Sequence, residues 1–141
     1  MSNIEPDRDD ALFGEVIHRY TRAQAIADGI LIDVSTTATE AGFRWPVAMT
    51  HAAWLDCVEW TTADNAQQGY QDESGRLWDV LFMAAHAART TSQQREQLLY
   101  SLYRVPRDGQ SRQAHLTKLK LMLSAGDEGE PVMTLLLPHE E

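Results

Sequence analysis

"AHLTKLKLMLS", residues 114–124, sets Leu119, Leu121 and Leu123 on one side of the chain and Lys118, Lys120 and Met122 on the other. A period of two belongs to an extended strand with one face on a core, because successive side chains of a strand point to opposite faces. On its C-terminal side the turn-rich "AGDEGEP" (125–131) leads into the apolar run "VMTLLL" (132–137). On its N-terminal side "QLLYSLYRV" (97–105) alternates imperfectly before Pro106 and Gly109 mark a turn. The three runs predict a three-stranded antiparallel meander with Lys118 and Lys120 on its wetter face. An exposed edge at "VMTLLL" would let two copies pair as a homodimer.

Upstream of residue 97 the period is helical. "ALFGEVIHR" (11–19) predicts a short helix despite Gly14. In "YTRAQAIADG" (20–29), Thr21 and Gln24 form a capping-box pattern and Gly29 marks a stop. "ILIDVS" (30–35) reads as a strand, and Ser35 or Thr36 as the cap of a turn or two of helix ending at Gly42. Pro46 makes "FRWPVAMT" (43–50) an edge strand or an extended connector. Thr50 caps "HAAWLDCVEWTT" (51–62), with Trp54, Cys57, Val58 and Thr61 on one side and Asp56 and Glu59 opposite. "TADNAQQGYQDESGR" (62–76) is polar and holds Gly69 and Gly75, the pattern of the longest loop. "RLWDVLFMAAHAAR" (76–89) is apolar almost all round and predicts a helix in the middle of the domain. Helices first and strands after them indicate an α+β class: a helical region with one or two short strands, packed on the C-terminal meander. Residues 1–10, charged and carrying Pro6, are expected to be a flexible segment ahead of one domain over 11–141.

The 141 residues carry 12 basic and 21 acidic side chains, a formal charge of −9 that disfavours nonspecific nucleic-acid binding. Residues 1–79 hold fourteen of the acids and five of the bases, which leaves seven of each in 80–141. No apolar run reaches membrane-spanning length and the start lacks the pattern of a signal peptide, so a cytoplasmic protein is expected. The single cysteine agrees with that compartment.

Candidate chemistry is sparse. Asp56 and Glu59, three apart, and Asp79 and His86, two helical turns apart, are the groups that a pocket would use for acid–base work. The competing reading makes the first pair a solvated helix face and the second a structural polar pair. Cys57, on the apolar side, reads as a core residue. Asp33 followed by Ser35, Thr36 and Thr37 lacks the glycines and lysine of a phosphate loop. The histidines show no metal-ligand spacing and no hydrolase motif occurs, so neither a metal nor a cofactor is expected. A basic run over 89–120, with Tyr100, Tyr103, Arg104, Arg107, Arg112, Lys118 and Lys120, is the candidate partner-binding surface, for a protein or for single-stranded nucleic acid.

The segments "YTRAQAIADGILIDVSTTATEAGFRWPVAMT", "WLDCVEWTTADN" and "GRLWDVLFMAAHAAR" resemble an uncharacterised family of small bacterial proteins carried by plasmids, integrative elements and phages. The resemblance covers roughly residues 11–137. It implies the company of accessory genes of mobile DNA, anti-restriction and other anti-defence factors among them, and brings no active site with it. The expected function is therefore that of a non-enzymatic accessory protein acting by protein–protein contact, an inhibitor of a host restriction or CRISPR-type system. The alternatives are a small enzyme or ligand-binding domain walled by Asp56, Glu59, Asp79 and His86, and a nucleic-acid-binding module built on the basic strands.

Overall fold

The computed structural model of the protein describes residues 20–91 and 96–141. The expectations for a flexible segment at 1–10 and a helix at 11–19 fall outside those residues, as does Arg95 of the basic run. Along the chain come helix α1 (Arg22–Ala27), strand β1 (Leu31–Asp33), α2 (Ser35–Ala41), β2 (Val47–Thr50), α3 (His51–Cys57), α4 (Thr62–Gln68), α5 (Glu73–Thr90), β3 (Gln97–Arg104), β4 (His115–Ala125) and β5 (Pro131–Leu136). The class is α+β, as the change of period indicates.

The strands form one five-stranded sheet in the order β1-β2-β5-β4-β3. The meander is present, with Leu121 opposite Leu98 on β3 and opposite Leu135 on β5. The two short strands extend it: β2 runs parallel to β5, with Val47 opposite Met133, and β1 closes that end antiparallel to β2. This corrects two expectations. "VMTLLL" is an interior strand, paired on both sides, so it offers no edge for a second copy. "FRWPVAMT" supplies an interior strand too, because Pro46 precedes the pairing and uses only its carbonyl, which accepts from the Met133 N–H at 2.9 Å. Among the described residues the free edge in the C-terminal half is β3.

Helices α2, α3 and α5 cover one face of the sheet, where Val47, Met49, Leu81, Leu119 and Leu135 are fully buried in one cluster. Each such side chain contributes roughly 1.5–3 kcal/mol relative to exposure. The opposite face carries Ala48, Val132, Thr134 and Leu136, all buried. Arg22 of α1 reaches onto it, donating to the Thr134 Oγ1 at 2.8 Å and to the Met133 carbonyl at 2.7 Å. Further along that face, over β3 and β4, Leu99, Tyr103 and Leu116 stay more than half exposed.

The local expectations at α1 hold: Thr21 and Gln24 form the capping box. At α2 neither Ser35 nor Thr36 is the cap; Val34 takes that position and the Asp33 carboxylate accepts from the Ser35 N–H at 3.0 Å. The largest departure is the expected loop 62–76, which contains α4 and the first turn of α5. Thr61 caps Asp64 in a second capping box, a pattern that the polarity of the segment obscured. Helix α5, expected to be surrounded, is covered on one side only by the described residues: Trp78 and Phe82 are 38% and 45% exposed and stack on each other at 6.0 Å. Among the described residues no helix is long and apolar enough to cross a membrane.

Candidate functional site

The polar groups gather where the end of α3, helix α4 and the start of α5 meet the outer end of β3. Arg76 lies on α5 one turn before Val80 and two before Ala84, on the stripe that faces the core, and only 3% of it is exposed. Its Nε donates to the Val58 carbonyl at 3.0 Å, and its Nη1 to the Val105 carbonyl and the Gln71 Oε1 at 3.3 and 3.4 Å. The guanidinium carbon sits 4.7 Å from the Trp60 ring centroid, so a π face lies beside it, while its Nη2 has no hydrogen-bond partner among the described residues. Burial, then the neighbouring Arg104 charge, lowers its pKa to about 10. Arg104 enters from β3: its Nη1 donates to the carbonyls of Cys57 and Arg76, both at 3.0 Å, and its Nη2 meets Asp79 at 3.2 Å. Arg107 completes the group, pairing with Asp64 at 2.8 Å and with Glu59 at 3.2 Å.

Each of the three guanidiniums thus has a carboxylate facing it or a neighbour that does, and the charges balance. Asp64 is held below the usual carboxylate range: burial works the other way, but the Thr61 N–H and the Arg107 guanidinium outweigh it. Gln68, also buried, donates to the carbonyls of Pro106 and Ser111 at 2.6 and 2.7 Å and ties α4 to the loop after β3. In that loop Asp108 falls to about 2 because the Ser111 hydroxyl and nearby backbone N–H groups donate to it. The arrangement is that of a staple: Arg76 and Arg104 satisfy the Val58 and Cys57 carbonyls freed at the end of α3, and also hold the Val105 carbonyl after β3 and the Arg76 carbonyl in the first turn of α5.

Cys57 lies beside this staple with no exposure. Burial, with the Asp56 carboxylate 3.6 Å from the sulfur, pushes its thiol up to about 12. At neutral pH the native thiol should therefore react with iodoacetamide at least on the order of a thousandfold more slowly than in denaturant, since the thiolate is the nucleophile. Mass-spectrometric labelling with equal rates in the two states would contradict this.

A groove of about 280 Å3 opens between α5 and the outer edge of β3, lined by Asp79, Phe82 and Met83 on one side and by residues 101–104 with Leu116 on the other. Its walls are mainly apolar, with Asp79 and Arg104 as the charged residues among them. A second hollow of about 190 Å3 near α1 is lined by Arg22, Asp33, Ser35, Asp127 and Glu130. There Asp127 accepts from the N–H groups of Arg22 and Ala23 at 2.7 and 3.0 Å, so its acid serves the helix start.

The four candidate pocket residues are not gathered in one place. Asp79 lines the groove; Asp56, Glu59 and His86 do not. Helix α3 ends at Cys57, so Glu59 leaves the helical face on which Asp56 stands and turns to Arg107. His86 is exposed on α5. Among the described residues no group of three or more His, Cys, Asp or Glu side chains is arranged to hold a metal.

The candidate partner-binding residues divide. Tyr100 is buried and donates to the Val80 carbonyl at 3.1 Å. Arg104 is buried in the staple and Arg107 is mostly committed to it, whereas Tyr103, Arg112 and Lys118 are exposed. Lys120 donates to the Glu140 carbonyl. Arg76, Gln68 and Asp64 were not anticipated. The available clue was spacing: an arginine four and eight residues before Val80 and Ala84 falls on the apolar stripe of its helix.

A family model described as "Family of unknown function (DUF6573)" matches residues 11–141. No curated protein and no solved structure matches the chain.

Proposed function

We propose that this chain, which belongs to the family of unknown function (DUF6573), acts without catalysis by docking protein on the outer edge of β3 and the flank of α5. The supporting observation is an eight-residue strand paired on one side only among the described residues, with Leu99 and Tyr103 exposed on it and Phe82 exposed beside it. Free edges pair with added strands unless charge, proline or a bulge protects them. Nothing of that kind interrupts Gln97, Leu99, Ser101 and Tyr103.

The finer reading, an accessory protein of mobile DNA working in the cytoplasm against a host restriction or CRISPR-type system, draws its support from the family resemblance and from the clustering of acids in residues 1–79. Phage plating on hosts with and without such systems tests it. Expression should raise plating only on the defended host, by tenfold or more, and Leu99→Lys should abolish the rise. Equal plating on restriction and CRISPR-type hosts alike, with and without the protein, would end the anti-defence reading.

A second reading keeps the groove as a small-ligand or enzyme site, favoured by the position of Asp79 in its wall. Asp79→Ala separates the two: it should leave partner docking intact, and loss of a turnover activity in a folded variant would move the choice to the enzyme.

A further inference from the structure

We infer that residues 11–19, which lie outside the described residues, dock as an amphipathic helical strap on the face of the sheet opposite α2, α3 and α5, over β4 and the start of β3. Cross-strand pairs define that face. Gln97 lies opposite Met122, Leu99 opposite Lys120 and Ser101 opposite Lys118. Lys120 and Met122 in turn lie opposite Leu136 and Thr134 of β5, so these side chains all point one way. Arg22 holds Thr134 and thereby places α1 on the same face. The described elements leave the β3–β4 half of it open: Gln97, Leu99, Ser101 and Lys118 are exposed and Met122 is half-buried. Lys118 has no acidic partner among the described residues.

Position, pattern and charge fit the chain before Tyr20 to that place. Asp127 accepts from the N–H groups of Arg22 and Ala23 at 2.7 and 3.0 Å, so the chain enters α1 beside the turn that follows β4. The next open surface along this face is β4 itself, whereas the Trp78–Phe82 flank lies on the other side of the sheet. Leu12, Val16 and Ile17 share one side of a helix and would meet Met122 and Leu99. Residues 5–15 carry five acids, Glu5, Asp7, Asp9, Asp10 and Glu15, against Arg8 alone, and the two lysines of the chain, Lys118 and Lys120, both stand on this face. The lengths agree as well. Ten helical residues before Tyr20 span about 15 Å, and Lys120 lies five residues before Ala125 at the end of β4, about 17 Å along a strand. A helix running back along β4 therefore brings Asp9 and Asp10 to Lys120, and the acids before them towards Lys118. The strap shares Leu99 with the docking strand of the proposed function and leaves Tyr103 and Leu116 open; on that reading, a partner reaches Leu99 by displacing the strap.

A carbodiimide joins a carboxylate to an amine in contact with it, and with two lysines in the chain the products are assigned directly by mass spectrometry. In full-length wild-type protein at micromolar concentration, Asp9, Asp10 or Glu15 should link to Lys118 or Lys120 within one chain. Val16→Asp combined with Ile17→Asp keeps every native carboxylate and both lysines. It should lower the yield of those links at least tenfold, while Cys57 stays as slow towards iodoacetamide as in the wild type, the sign of an intact core. If that variant exposes Cys57, Leu99→Ser, on the other side of the contact, takes its place and should lower the yield severalfold. Absence of the links in the wild type overturns the inference. So do links found only between chains, which would give the face to a second copy, and a yield unchanged in the variants, which would mean that charge attraction alone brings the acids there. Links that form as expected without any plating effect remove the anti-defence role and keep the strap. A plating effect without the links keeps the docking role and removes the strap.

Discussion

Arg76→Ala should lower the unfolding free energy by about 3–4 kcal/mol, the largest loss expected of a single polar substitution in this chain. Two opposed effects meet there. Removing the guanidinium relieves a desolvated charge and its repulsion from Arg104, which is what depresses its pKa. Against this, the buried Val58 carbonyl loses its donor, at about 1–3 kcal/mol, the part-buried Val105 carbonyl loses one at a smaller cost, and the space over Trp60 empties. The orphaned carbonyls decide the sign. Arg76→Lys should recover little, because one ammonium cannot reach both carbonyls while stacking on the ring. Urea denaturation of the wild type and both variants measures this, and a loss below about 1 kcal/mol for alanine would show that the charge relief prevails.

The second large effect is expected of Arg104→Ala, at about 2–3 kcal/mol. Arg104 joins the last turn of α3 and the first of α5 to the sheet by holding the Cys57 and Arg76 carbonyls. Its ion pair matters much less, since the Asp79 side chain is 62% exposed, and such pairs are worth roughly 0–1 kcal/mol. Asp79→Asn should therefore cost under about 1 kcal/mol and serve as the control. Melting curves with the ordering Arg76→Ala, Arg104→Ala, Asp79→Asn are the expected outcome; a loss at Asp79→Asn equal to that at Arg104→Ala would place the energy in the ion pair. Arg76 and Arg104 touch, so their losses should not add.

These contacts change how the basic run 89–120 is understood. As a list of residues it suggests a positive surface. In the folded chain Arg104 and Arg107 are spent on carbonyls and carboxylates, Tyr100 is inside, and the exposed remainder combines Tyr103, Arg112 and Lys118 with apolar Leu99 and Leu116. That surface suits a strand more than a phosphate backbone, whose binding depends on accessible cations.

What the sequence alone determined are the features carried by neighbours in the chain. The alternation of Leu119, Leu121 and Leu123 specifies a strand, Thr21 with Gln24 specifies a helix start, and the change of period after residue 97 specifies the α+β class, because each depends on contacts two to four residues apart. Even some local features were masked by composition: Thr61 and Asp64 start a helix inside a segment polar enough to read as a loop. Tertiary structure alone decided the parallel pairing of β2 with β5, which turns "VMTLLL" from an edge into the interior and leaves β3 outermost. It also decided which arginines are buried, since Arg104 meets Cys57 across 47 positions and Arg107 meets Asp64 across 43. A charge enters a core only where distant segments bring it enough carbonyls and carboxylates to replace water, and no local pattern encodes that meeting.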